Sequence, residues 1–205
     1  DKLVPFKVLD GVLKGSDLTG ISYEQLIPWF TPGEGAFKVI PGDYVTTEDG
    51  TGIVHIAPTF GADDAKVARL AGVPGLQVVD RNGDLQAQVD LRGRFFRVED
   101  LDPEYAAANM APEYAEWAGR YVKNAYDATL AEDAPTLDVD ICVMLKQQNK
   151  AFKIEKHTHN YPHCWRTDKP VLYYPLNSWF IKTTAVRERM MELNEEIYWK
   201  PESTG

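Results

Sequence analysis

An α+β fold is what this sequence predicts, and three observations predict it. Short alternating runs rich in β-branched residues, bounded by turn chemistry, fill the part before position 98. Two stretches of helical periodicity follow in an acidic segment over 99–150. A further alternating run and a short charged helix occupy 151–205. The 205 residues, 44% of them hydrophobic, suffice for one sizeable core, or for one core with an appended subdomain.

Residues 7–13 alternate as a strand, which the Gly15-Ser-Asp-Leu-Thr-Gly20 turn ends. After a loop containing Pro28, Pro32, Gly33 and Gly35, residues 44–47 and 51–57 read as two strands joined across Glu48-Asp-Gly50 and closed by Pro58. Asp63 or Asp64 then caps a helix with Val67, Leu70 and Ala71 on one face and Gly72 as its stop. Residues 78–79 and 85–89 flank Asp80-Arg-Asn-Gly83, whose Asn-Gly pair predicts a hairpin. Tyr114, Trp117, Tyr121 and Ala125 recur at helical spacing over 113–128. Leu137, Ile141, Met144 and Leu145 do so over 137–148, which predicts two helices packed on each other. Phe152 and Ile154 alternate with Lys153 and Glu155 as a strand, and 185–194 reads as a short charged helix.

The longest apolar runs, such as 52–58, are too short to span a bilayer, so no membrane contact is expected. Cys142 and Cys164 lie 22 positions apart without a partner pattern, which predicts free thiols in a reducing, cytoplasmic setting. Asp1 at the start and Pro201-Glu-Ser-Thr-Gly205 at the end read as the edges of a piece of a longer chain, expected to be monomeric.

Charge is distributed unevenly. The formal net charge of -9 matches that of residues 99–140 alone, which hold 11 acidic side chains and two basic ones. Residues 146–189 hold nine Lys and Arg against three acids. That stretch suits a polyanion or a neutral protein neighbour.

Functional groups converge in Gly50-Thr-Gly-Ile-Val-His-Ile-Ala-Pro-Thr-Phe-Gly-Ala-Asp-Asp64. A strand delivers His55, a loop turns the chain, and a helix opens with two carboxylates, an arrangement suited to a pocket wall. The positive end of a helix favours an anion at Asp64, able to hold a ligand ammonium group; plain helix capping is the alternative. His55 is either a hydrogen-bonded, half-buried strand residue or a pocket residue. Gly50-Thr-Gly52 lacks the spacing and the Lys of a phosphate loop. His157, His159, His163 and Cys164 cluster in sequence, but Cys164 has no paired Cys and position 167 is Thr, so no metal site is expected. The aromatic stripe Tyr173, Tyr174, Trp179 and Phe180 reads as strand packing, with base stacking as the alternative.

Gly50-Thr-Gly-Ile-Val-His-Ile-Ala-Pro58 with Gly61-Ala-Asp-Asp64, then Tyr161-Pro-His-Cys-Trp-Arg166 and Ser178-Trp-Phe-Ile-Lys182, closely resembles the editing insertion of isoleucyl-tRNA synthetases, over nearly the whole chain. The resemblance implies a compact, β-barrel-like editing domain with peripheral helices and an acidic helical insertion. Residues 1–98 would form the editing core, 99–150 the insertion, and 151–205 the return to the parent catalytic domain. It implies hydrolysis of valyl-tRNA made in error, the partner being the 3′ acceptor end of the isoleucine tRNA carrying valine. The resemblance implies the logic known of that family: a pocket cannot strongly reject an amino acid one methylene smaller, so a second site removes it. Asp64 would bind the α-ammonium and His55 would line the pocket beside the attacking water, with Thr51, Gly52, Ala57, Thr59, Phe60 and Asp63 as the substrate-binding surround. Catalysis would rest on positioning, without a covalent nucleophile. No cofactor is implied here, ATP and Mg belonging to the parent's catalytic domain.

Two departures from the family stand out. Its Thr-rich pocket segment lies upstream of the part resembled, and Thr46-Thr47 is not its equivalent. A module that binds the tRNA acceptor end without hydrolysis is therefore the alternative. Some relatives also carry Cys-Trp-Arg-Cys where this chain has Cys164-Trp-Arg-Thr167, so their zinc site is expected to be missing.

Overall fold

The structure, a computed structural model, describes residues 5, 7–8, 10–48, 51–131 and 134–204. The chain divides into two compact units, Asp1–Pro175 and Leu176–Gly205. In the first, helix α1 spans Ala62–Leu70, strands β1 and β2 span Gln77–Val79 and Leu85–Ala87, and helices α2 and α3 span Pro103–Asn109 and Leu137–Gln147. In the second, helix α4 spans Arg187–Glu195, and its residues are exposed.

The hairpin forms where Asn-Gly predicts it. β1 and β2 pair antiparallel with Val78 opposite Gln86. Gly83 takes a φ of +82°, a left-handed conformation that glycine adopts without a steric penalty. Asp80 Oδ1 accepts from the N–H groups of Asn82 and Asp84 at 2.9 and 3.1 Å, and its Oδ2 accepts from Gln86 Nε2 at 2.9 Å. Partial burial works against the charge on Asp80, but these three donors together outweigh it and hold the carboxyl below its usual range.

Val78 enters a core cluster with Trp29, Phe30, Leu101, Tyr114, Trp117 and Leu137. Tyr114 stands at its centre, fully buried, with its ring edge-on to Phe30 at 4.5 Å. Its hydroxyl donates to the Phe96 carbonyl at 2.6 Å, which answers the need of a buried phenol for a partner. Burial, and then the charge of Asp90, push its pKa well above the ordinary value. Leu101, Tyr114, Trp117 and Leu137 all lie within the acidic stretch 99–140, so that stretch places apolar side chains inside while its described carboxylates are exposed or half-buried. Helix α2 begins within it where Asp102 accepts from the Tyr105 N–H at 2.7 Å and Pro103 sits at the first helical position.

The barrel-like arrangement is not formed: the described residues hold one two-stranded sheet and isolated bridges. The described parts of 7–13, 44–47, 51–57 and 152–155 form no strand, and Leu9, Asp49 and Gly50 lie outside the described residues. β-Branched content predicts a strand only where a neighbour supplies the other half of the ladder. Along 51–57 the Thr51 hydroxyl instead meets both the carbonyl and the N–H of Ile53, at 3.3 and 3.4 Å, and Ile53 and Val54 stay exposed. The stripe of Tyr173, Tyr174, Trp179 and Phe180 likewise forms no strand, and the ring of Trp179 is fully exposed.

The helix expected over 113–128 is replaced by 3-10 turns at Pro112–Glu116 and Asn124–Tyr126. Tyr114 and Trp117 do share a buried face, but Gly119 at a φ of +78° ends the run. The N–H of Gly119 then donates to the Phe95 carbonyl and the N–H of Phe95 to the Arg120 carbonyl, which draws the chain into the bridge between Arg94 and Tyr121. The helices expected over 137–148 and 185–194 are present as α3 and α4. Among the described residues no helix is long and apolar enough to cross a membrane.

Candidate functional site

The segment from Gly52 to Phe60 forms one wall of a cleft of about 1080 Å³. Phe37, Val39, Ile40 and Val45 contribute on a second stretch, and Gly75, Leu76 and Gln88 on a third. A volume of that order lies just above the usual range for small-ligand sites, roughly 300–1,000 Å³. Of the residues singled out in the sequence, Gly52, His55, Ala57, Thr59 and Phe60 line the cleft, whereas Thr51, Asp63 and Asp64 do not. His55 is exposed.

Asp64 sits immediately behind this wall. Its Oδ2 accepts from the Ala57 N–H at 2.9 Å, while the Ala57 carbonyl accepts from the N–H groups of Phe60 and Gly61 at 2.9 and 3.0 Å. Both polar groups of the Ala57 backbone are thereby fixed. The helix cap differs from expectation: Gly61 is the N-cap and supplies no side-chain bond, and Asp63 and Asp64 fall in the first turn. A Cβ on Gly61 would stand 2.5 Å from Asp64 Oδ2, so glycine is what leaves room for the carboxylate to reach back to Ala57. Asp64 is half-buried and directed at the Ala57 backbone, with Asp63 exposed beside it.

The far end of α1 returns to the same wall. Gly72, at a φ of +65°, lets the chain leave the helix, and the Val73 N–H donates to the Ala68 carbonyl at 2.8 Å. Thr59 Oγ1 then donates to the Leu76 carbonyl at 3.1 Å. A Cβ on Gly75 would lie 2.9 Å from that hydroxyl oxygen, so a second glycine permits the approach.

One cleft residue was not signalled by any motif. Gln88 follows β2 between the buried Ala87 and Val89, and its Nε2 is buried without a hydrogen-bond partner among the described residues. Its neighbour two positions earlier, Gln86, carries the same amide and is satisfied by Asp80. The sequence clue is slight: a second glutamine at period-two spacing.

The histidine-rich segment does not gather into a metal centre among the described residues. The rings of His157 and His159 stack at 5.6 Å, and His163 Nδ1 lies 2.8 Å from the Tyr161 carbonyl oxygen. The hydroxyl of Thr167 and nearby backbone N–H groups lower the pKa of the Cys164 thiol.

No model of a known protein family matches the chain. Among curated proteins it is 65% identical, over 206 residues, to an isoleucine–tRNA ligase of Bacteroides fragilis, a match covering all of this chain and 18% of that protein. It is 64% identical over 205 residues to an isoleucine–tRNA ligase of Porphyromonas gingivalis, again across the whole chain and 18% of the relative. An isoleucine–tRNA ligase of Thermoplasma volcanium is 40% identical over 197 residues, covering 96% of the chain and 16% of that protein. The chain thus spans less than a fifth of the length of these relatives.

Proposed function

Because the chain belongs, as a segment, to the isoleucine–tRNA ligase family, we propose that it is the part of such an enzyme that hydrolyses isoleucine tRNA wrongly charged with valine. The observation that supports this reading most directly is the cleft of about 1080 Å³ whose wall, Gly52 to Phe60, is tied to the acidic first turn of α1 through Asp64 and Ala57. The substrate is the 3′ acceptor end of the tRNA, and the catalytic part of the longer ligase is the partner that makes the ester.

In the proposed reaction water attacks the ester carbonyl carbon. The bond to the ribose oxygen breaks; one proton of the water restores the ribose hydroxyl, and the other passes to solvent as valine leaves as a carboxylate. Asp64 lies outside the lining of the cleft and uses Oδ2 to hold Ala57; its second oxygen, Oδ1, is assigned to the α-ammonium of an amino acid whose charged end passes the edge of the wall. His55, Thr59 and Phe60 shape the space around the aminoacyl group. The chemistry asked of these residues is positioning, which lowers the barrier by fixing water and ester in a reactive arrangement.

The structure suggests a pair of variants that separates the two tasks of Asp64. Asp64→Asn keeps an oxygen for the Ala57 N–H and removes the charge, whereas Asp64→Ala removes both. Release of valine from valyl-tRNA by the full-length ligase is expected to fall in both. Loss of one charge-assisted bond, about 1.5–3 kcal/mol, corresponds to roughly ten- to more than a hundredfold. Only the Ala variant is expected to loosen the wall, seen as faster hydrogen exchange at Ala57. Valine release at the wild-type rate in Asp64→Asn would remove the charge from the mechanism.

A further inference from the structure

We propose that the exposed rings of His157 and His159 are the stacking face of a track for single-stranded RNA, built from residues that line no part of the cleft. The track is independent of what the cleft hydrolyses.

Rings occupy alternate positions in His157-Thr-His159-Asn-Tyr161-Pro-His163. Alternate side chains of an extended segment share one side, and these meet in series: ring centroids lie 5.6, 6.3 and 6.4 Å apart from His157 to His163. Two extended residues advance about 6.6 Å, close to the roughly 6.8 Å covered by two steps of a nucleic-acid strand. Successive rings therefore keep pace with successive pairs of bases. His157 and His159 are parallel to within 19°, and both are exposed. Tyr161 is the fixed point of the series: it is half-buried, and its hydroxyl donates to the Val171 carbonyl at 2.8 Å, while the Val171 N–H donates to the Pro162 carbonyl at 3.0 Å. The hydroxyl of Tyr126 donates to the Pro170 carbonyl at 3.0 Å, which ties the same turn to the body of the unit. One end of the series is thus anchored and the other presents flat faces to solvent.

Charge selects the partner. Residues 150–169 carry five Lys and Arg against two acids, and Glu155 is already paired with Lys153 at 2.6 Å. Lys156 and Lys169 are exposed and enter no ion pair among the described residues. Even the acidic stretch 99–140 meets the series through a cation: of its two basic residues, Arg120 pairs with Asp140, and Lys123 places Nζ 4.0 Å from the centre of the Tyr161 ring. An apolar protein surface would strip water from these cations without answering them, whereas phosphates answer them directly. Flat rings among cations suit a single strand, because the faces of its bases are open and those of a duplex are not.

The test uses the full-length ligase and a single-stranded oligouridylate carrying 4-thiouridine, with photocrosslinked peptides identified and quantified across a titration. Wild-type enzyme is expected to crosslink within 150–169, and the same strand annealed to oligoadenylate is not. In the double variant His157→Ala, His159→Ala the concentration that half-saturates this crosslink is expected to rise roughly thirtyfold or more, from the loss of two stacking rings. The double variant His157→Phe, His159→Phe keeps the flat faces and is expected to stay within about threefold of wild type. Lys156→Ala is expected to lower the salt dependence of the crosslink by about one ion. Because the two rings are exposed, the thermal midpoint of the alanine variant is expected to match that of the wild type. A wild-type enzyme with no crosslink in 150–169 overturns the proposal, since another part of the ligase then covers the rings. Equal crosslinking of the duplex, an unchanged titration in the alanine variant, an equal loss in the phenylalanine variant, or a clearly lower thermal midpoint overturns it as well. Valine release is not read in this experiment, so its failure and that of the proposed hydrolysis are told apart.

Discussion

The core around Tyr114 and the wall from Gly52 to Phe60 belong to the same unit yet are built by opposite means. The core fixes its residues by packing: seven buried side chains meet, four of them aromatic, and Tyr114 satisfies its one polar atom at Phe96. The wall has no ladder and little burial, and it is held at a few points, chiefly Asp64 to Ala57 and Thr59 to Leu76. Packing spreads energy over many atoms and tolerates no large loss at its centre. Point attachment concentrates it in two bonds and leaves the remaining surface open to a ligand.

That contrast can be broken from either side. The largest effect is expected in Tyr114→Ala, which empties the centre of the aromatic cluster and strands the Phe96 carbonyl. Loss of about 3–5 kcal/mol is expected in chemical denaturation, and a smaller loss than that of an ordinary surface substitution would show that the cluster is not the stabilising centre. A smaller, local effect is expected in Gly61→Ala. The added methyl meets Asp64 Oδ2 and displaces it from Ala57, while the core remains intact. The bond at stake contributes roughly 1.5–3 kcal/mol. Its loss should appear as faster amide exchange over 55–61 with β1 and β2 unchanged, whereas uniform acceleration would mean that wall and core are one cooperative block.

The smallest effect sharpens the core side through pH. Asp80 has a lower pKa folded than unfolded, so it adds stability that is fully present above the unfolded value, about pH 4, and is lost as pH falls through the folded value. Urea unfolding between pH 5 and 2 should therefore show a shallower acid decline in Asp80→Asn than in the wild type. An identical decline in both would place the acid sensitivity elsewhere, for instance at Asp100, which Arg97 holds low.

Legibility in the sequence follows the same divide. The Asn-Gly hairpin, α1 with its Gly72 stop, α3 and α4 are decided by local chemistry and were readable. The strands expected over 44–47 and 51–57 were not realised, because a ladder depends on a partner that no local pattern specifies. Helical spacing at Tyr114 and Trp117 correctly identified a buried face but overran at Gly119, where pairing with Phe95 takes over. In the site, the motif led to the cleft wall and to the carboxylate beside it. That Asp64 grips backbone, and that Gly61 exists to let it, depends on a reach of seven residues backward along the chain and emerges only in three dimensions.

Asp64 at one end of α1 and Leu76 beyond the other both clasp the same short loop, so residues 57–76 close into a loop-shaped brace. Anything that pushes the wall outward must carry the helix with it as a solid strut. An outward displacement of the wall at Ala57 or Thr59 is thereby coupled to both ends of α1, through one hydrogen bond at each end.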